Sequence, residues 1–129
     1  MDESKQMITI ALGVNIWPQE LETAQAYAAI GKHVHFVRRN DQQRARSADA
    51  MIDGVVWEMK SPKADNIRAI DRNVRRALKQ SCNVIIDSKR MKKVTDAQIE
   101  KKLRTLASEL KSLKRLQFVN RKREIIDIK

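Results

Sequence analysis

Apolar positions along the chain switch repeatedly between a two-residue and a 3.6-residue period. Met7 to Val14 alternates weakly and reads as a strand. Pro18 opens a helical stretch to about Ile30, with Leu21, Ala24, Tyr27, Ala28 and Ile30 as its apolar side and Gly31 as its stop. His33 to Val37 returns to alternation, with Val34 and Phe36 on one face. Asn40 to Ser47 is a polar loop rich in Gln and Arg. Ala48 to Ile52 and Val55 to Lys60 read as two strands joined by Asp53-Gly54, a strong hairpin signal. Pro62 ends the second strand.

Asp65 or Asn66 can cap the next helix, which runs to about Gln80 on a buried stripe of Ile67, Ile70, Val74, Ala77 and Leu78. Asn83 to Asp87 reads as a buried strand ending in a carboxylate. Thr95 and Gln98 fit a capping box, opening a helix that uses Ile99, Leu103, Leu106 and Leu110. Arg115 to Val119 and Glu124 to Ile128 close the chain as a hairpin across Asn120-Arg121-Lys122. Helices alternate with strands, so the expected fold class is α/β (α+β), a mixed β-sheet flanked by helices. Without repeats or a Pro/Gly/Ser linker, residues 1–129 read as a single domain.

Composition changes this picture in one respect. The net charge is +11, and it is unevenly placed. Residues 1–65 hold 8 basic and 9 acidic residues, whereas residues 66–129 hold 19 and 7. Solubility does not require one sign of charge in one half, and a polyanion is the natural partner for such a surface. The single cysteine, Cys82, excludes an intrachain disulfide. No apolar run approaches a membrane span, and Met1 to Lys5 lacks the apolar stretch of a secretion signal.

The segment that can carry chemistry runs from Ser47 to Pro62. On a strand from Val55, Glu58 and Lys60 share one face, while Val55, Trp57 and Met59 take the other and are expected in the core. The hairpin is expected to bring Asp49 back toward Lys60. Two carboxylates can hold Mg²⁺ or another divalent metal, which polarises a phosphate and acidifies a bound water. Lys60 can then steady the charge that builds at phosphorus. Without metal, a carboxylate serves as general base beside the same ammonium, and no cofactor is needed. A Glu-x-Lys pair alone is usually just a solvated strand face. His33 and His35 rank low as acid–base groups, because strand histidines are more often half-exposed bystanders.

The Asp49…Glu58-x-Lys60 spacing, within helix–strand–strand–strand–helix–strand order over about residues 18–87, resembles the PD-(D/E)XK nuclease superfamily. Ala48 stands where that family has proline. The resemblance implies a restriction-endonuclease-like αβββαβ core plus a C-terminal helix and β-hairpin, with Glu20 or Glu22 joining Asp49 and Glu58 at a metal. A second resemblance covers about residues 20–128. Asp53-Gly-Val-Val-Trp-Glu-Met-Lys-Ser-Pro62, the stretch from Arg72 to Ser81 and the strand Asn83 to Asp87 are similar to the C-terminal tRNase domains of contact-dependent growth inhibition toxins of the CdiA type. That likeness implies a tRNA-cutting endoribonuclease, neutralised by a cognate immunity protein and acting in a target cell's cytoplasm as part of a larger delivered protein. Several such toxins have the barnase/EndoU/colicin/RelE-like fold instead, which is the alternative architecture.

Around this core, Arg72, Arg75, Arg76 and Lys79 fall mostly on one helix face and are candidate phosphate contacts. Lys89, Arg90, Lys92 and Lys93 form a basic loop with the same expected role. Asp87 is expected to be structural. Two other functions compete with RNA cleavage: a metal-dependent DNA endonuclease on the same fold, and a non-catalytic basic RNA-binding module.

Overall fold

Each strand and helix forms where the periodicity changes. In the computed structural model, residues 7–38 and 48–129 are described; the expected polar loop, Asn40 to Ser47, lies outside them. The order is β1 (Ile8–Ile10), α1 (Pro18–Ala28), β2 (Val34–Arg38), β3 (Ala48–Ile52), β4 (Val55–Lys60), α2 (Ile67–Leu78), β5 (Asn83–Asp87), α3 (Asp96–Glu109), β6 (Arg115–Val119) and β7 (Ile125–Asp127). The architecture is α+β with mixed strand pairing, as expected. Its contacts sort into two compact units, one ending at Trp57 and one beginning at Glu58, so the division falls inside β4.

In the first unit β1 pairs parallel with β2, β2 antiparallel with β3, and β3 antiparallel with β4. The β3–β4 turn has positive φ at both central residues, 52° at Asp53 and 76° at Gly54. This is the backbone that a two-residue hairpin loop demands. Val34, Phe36, Ala50, Ile52 and Trp57 are buried, together with Ala24, Ala26 and Tyr27 of α1.

Helix α1 corrects the expected face. Ala24 and Tyr27 are buried, but Leu21 and Ile30 are 36% and 60% exposed, while Glu20 and Thr23 are inside. The buried stripe is therefore 20, 23, 24 and 27, an i, i+3, i+4, i+7 pattern written partly in polar residues. Both polar members make hydrogen bonds to the backbone at the start of their own helix. Glu20 Oε1 accepts from the Trp17 backbone N–H at 2.7 Å, and Thr23 Oγ1 donates to the Gln19 carbonyl at 3.1 Å. Strand β1 also stops at Ile10, short of Val14, because the chain turns with Val14 N–H donating to the Ala11 carbonyl.

In the second unit β4, β5 and β6 run parallel and β6–β7 is antiparallel. The connections between the parallel strands are α2 and α3, as parallel pairing requires. Asn66 caps α2, its side chain accepting from Ala69 N–H at 2.9 Å. Thr95 and Gln98 close the capping box of α3. Ile70, Val74 and Ala77 of α2 and Ile99, Leu103 and Leu106 of α3 pack with Val84, Ile86, Leu116 and Phe118 in one sealed core. Strand β5 is buried throughout, which explains its continuous apolar run. Strand β7 is shorter than expected, yet Ile128 N–H still donates to the Leu116 carbonyl.

Candidate active site and cationic surface

Strand β4 supplies the acid and the amine. Lys60 Nζ lies 3.3 Å from Glu58 Oε2, with side-chain exposures of 31% and 4%. The expectation that the two stand side by side holds. Their surroundings differ from the expectation. Glu58 is in register with Val84 and Lys60 with Ile86. Both therefore share the sheet face that carries the second unit's core, and Glu58 is buried as deeply as its neighbours Trp57 and Met59. Lys60, only partly exposed, places its ammonium against that buried carboxylate. A desolvated carboxylate beside a partly exposed ammonium suits proton abstraction and charge stabilisation better than a solvated pair, because low local polarity strengthens both.

Asp49 lies on β3 in the first unit, in register with Val37. It shares the sheet face of His35, Met51 and Val56, and its Oδ1 is shielded from solvent. On the same face Thr9 Oγ1 is 3.1 Å from His33 Nε2 and 2.5 Å from His35 Nδ1. Periodicity gave no sign of this hydroxyl-bridged pair. Glu20 is engaged at the start of α1, and Glu22 is half-buried on the same helix. Among the described residues, no three His, Cys, Asp or Glu side chains cluster closely enough to hold a metal ion.

The expected helix face exists and is larger than the sequence indicated. Arg68, Arg72, Arg75, Arg76 and Lys79 of α2 line a groove of about 410 Å³ with Asp71 and Lys102. Lys102 comes from α3, which only the packing of the two helices could reveal. Asp71 is its one acid. Its carboxylate meets Arg75 Nε at 2.6 Å and Lys102 Nζ at 3.3 Å. The Arg75 guanidinium, with Lys102, holds the Asp71 carboxyl below the usual carboxylate range, and Arg75 is raised in turn. Arg72, Arg76 and Lys79 are exposed along the groove.

The basic loop after β5 is built rather than loose. Asp87 is 1% exposed and takes a two-pronged contact from Arg123, 2.8 Å at each oxygen, plus the Lys89 N–H at 2.8 Å. Asp87 is thus structural, as expected. Arg123 makes this contact from a left-handed backbone, φ 66°, at the β6–β7 turn. Asp65 had been a cap candidate; instead its carboxylate accepts the backbone N–H groups of Lys92, Lys93 and Val94 at 3.0, 2.6 and 2.9 Å. The Val94 N–H above all holds the Asp65 carboxyl below its ordinary range. Lys89, Lys92 and Lys93 are exposed on this loop, whereas Arg90 turns back and donates to the Ser61 carbonyl from Nε at 3.0 Å and Nη2 at 2.5 Å.

No curated protein matches the sequence. The solved CdiA-CT/CdiI toxin and immunity complex from Burkholderia pseudomallei contains a chain that superposes with a TM-score of 0.67 at 19% identity, covering 94% of this chain and 98% of that one. At that identity the likeness is one of fold. The family model for the contact-dependent growth inhibition CdiA C-terminal domain matches residues 46–125, a stretch that contains the hairpin, Glu58, Lys60, the groove and the basic loop. The chain belongs to the CdiA C-terminal domain family of contact-dependent growth inhibition.

Proposed function

We propose that this domain is an endoribonuclease toxin that cuts tRNA, with Glu58 and Lys60 at the reacting phosphate. The observation that carries the reading is the buried Glu58 carboxylate held 3.3 Å from the Lys60 ammonium. Glu58 takes a proton from the attacking hydroxyl or water, and Lys60 stabilises the charge that develops on the phosphate oxygens. A hard divalent cation such as Mg²⁺ needs only one or two carboxylates, because water and phosphate oxygens complete its shell. Glu58 is the residue of the second unit that would offer it an oxygen, and it would polarise the phosphate.

Substrate is held by the groove residues Arg72, Arg75, Arg76 and Lys79 and by Lys89, Lys92 and Lys93. Their spread over two elements suits a folded polyanion better than a single phosphate. A cognate immunity protein neutralises the domain, by analogy with the toxin and immunity complex that shares the fold. The domain works in a target cell's cytoplasm after delivery as part of a larger protein. Among the described residues, no helix is long and apolar enough to cross a membrane.

Sequencing RNA ends after brief expression, wild type against Lys60→Ala, tests the proposal. New tRNA ends are expected only with wild type. Ends elsewhere would redirect the substrate. Intact RNA alongside nicked chromosomal DNA would favour a DNA endonuclease, and no cleavage of either would leave a basic binding module.

A further inference from the structure

Pro62 poses a problem for the strand that presents Lys60. The last pair between β4 and β5 is Lys60 with Ile86. Beyond it, proline has no N–H to donate and forces the preceding Ser61 into extended backbone. Strand pairing therefore ends at the residue whose side chain must be placed. The Ser61 carbonyl finds its partner in the Arg90 guanidinium, which grips it with two N–H groups at 3.0 and 2.5 Å.

Arg90 is itself held firmly. On one side of it, Lys89 N–H is bound by Asp87. On the other, Lys92, Lys93 and Val94 are bound by Asp65, which belongs to the same connection as Ser61. Arg121 adds contacts to the Lys92 and Val94 carbonyls and to Asp96. The segments leaving β4 and β5 are thus tied together by five hydrogen bonds: two from Arg90 to Ser61, and three to Asp65.

We propose that Arg90 is a positioning residue for Lys60: by holding the Ser61 carbonyl it fixes the strand end from which the ammonium reaches Glu58. This rests on the reading of Glu58 and Lys60 as the reacting pair. It separates Arg90 from Lys89, Lys92 and Lys93, whose ammonium groups serve substrate. The planar fork of arginine suits the two-point grip; a lysine ammonium in its place keeps the charge and loses that geometry.

The test measures tRNA cleavage by wild type, Arg90→Ala, Arg90→Lys and Asp65→Asn, with the Lys60 Nζ–H NMR correlation recorded on each free protein. Arg90→Ala is expected to lower kcat by about tenfold or more while KM stays within about twofold, because small displacements at a reacting centre are costly. Arg90→Lys should fail to restore kcat, and Asp65→Asn should lose less than Arg90→Ala. The Lys60 signal should move toward that of free lysine in Arg90→Ala. A raised KM with unchanged kcat, restored by Arg90→Lys, would make Arg90 a phosphate contact and overturn the proposal, as would an unmoved Lys60 signal. Should wild type cleave no tRNA, the nuclease reading falls, and the NMR comparison alone decides the role of Arg90. If Arg90→Ala does not fold, Arg90→Lys carries the same two readouts.

Discussion

The two units differ in how closely burial follows hydropathy. The second seals its core with residues that look apolar in sequence: Ile70, Val74, Leu103, Leu106, Leu116 and Phe118 are fully buried. Both units also bury paired polar groups, Glu20 and Thr23 in the first and Glu58, Asp87 and Asn120 in the second, but the exposed large apolar side chains, Leu12, Trp17, Leu21 and Ile30 among them, lie in the first. The contrast extends to charge, since 19 basic and 7 acidic residues in 66–129 account for all of the positive excess. The lesson is that burial follows satisfied hydrogen bonds as well as hydropathy. A glutamate that caps its own helix and a threonine that bonds back one turn can face inward, because neither leaves an orphaned group.

The largest expected effect sharpens this contrast within the second unit itself. Arg123→Ala strips the buried Asp87 carboxylate of its two-pronged partner, and a loss of about 3–5 kcal/mol in chemical denaturation is expected. A loss under about 1 kcal/mol would mean that water or another donor replaces the guanidinium at Asp87. Next, Leu103→Ala should cost about 2–5 kcal/mol, as core truncations do. Ile30→Ser, at an exposed apolar site of the first unit, should stay within about 0.5 kcal/mol. Equal costs for the two would abolish the distinction between the units.

The smallest effect concerns the groove. Asp71 has a depressed carboxyl, so its ion pairs with Arg75 and Lys102 stabilise the fold above the ordinary carboxylate range. That contribution should fade as pH falls below about 4, through the lower folded value. The stability gap between wild type and Asp71→Asn should therefore be present at neutral pH, shrink in acid and shrink with salt. A gap that grows in acid would contradict the pairing.

Much of the fold was legible because each local signal agreed with the packing. Asp53-Gly54, Asn83 to Asp87, Thr95 with Gln98 and the Arg115 to Val119 strand all lie where periodicity and turn chemistry put them. The face of α1 was not legible, since a hydropathy pattern cannot see that Glu20 bends back to Trp17. At the site, alternation alone paired Glu58 with Lys60. It could not show that Glu58 is buried, because that depends on register with Val84, a partner 26 positions away. The contacts of Arg90 and Asp65 were hidden for the same reason. Charge put Arg90 among the phosphate contacts and position put Asp65 forward as a cap, and only the fold brings Arg90 to Ser61 and Asp65 to the backbone of Lys92 to Val94.

Whether the buried acid and its amine do chemistry is answered most directly with purified protein. Wild type, Glu58→Ala and Lys60→Ala should be incubated with total tRNA, with and without chelator, after circular dichroism confirms that each is folded. Wild type should cut, and each variant should lose on the order of a hundredfold or more in rate, as removal of a transition-state stabiliser does. Cleavage by folded Glu58→Ala and Lys60→Ala at the wild-type rate would place the reaction elsewhere in the molecule.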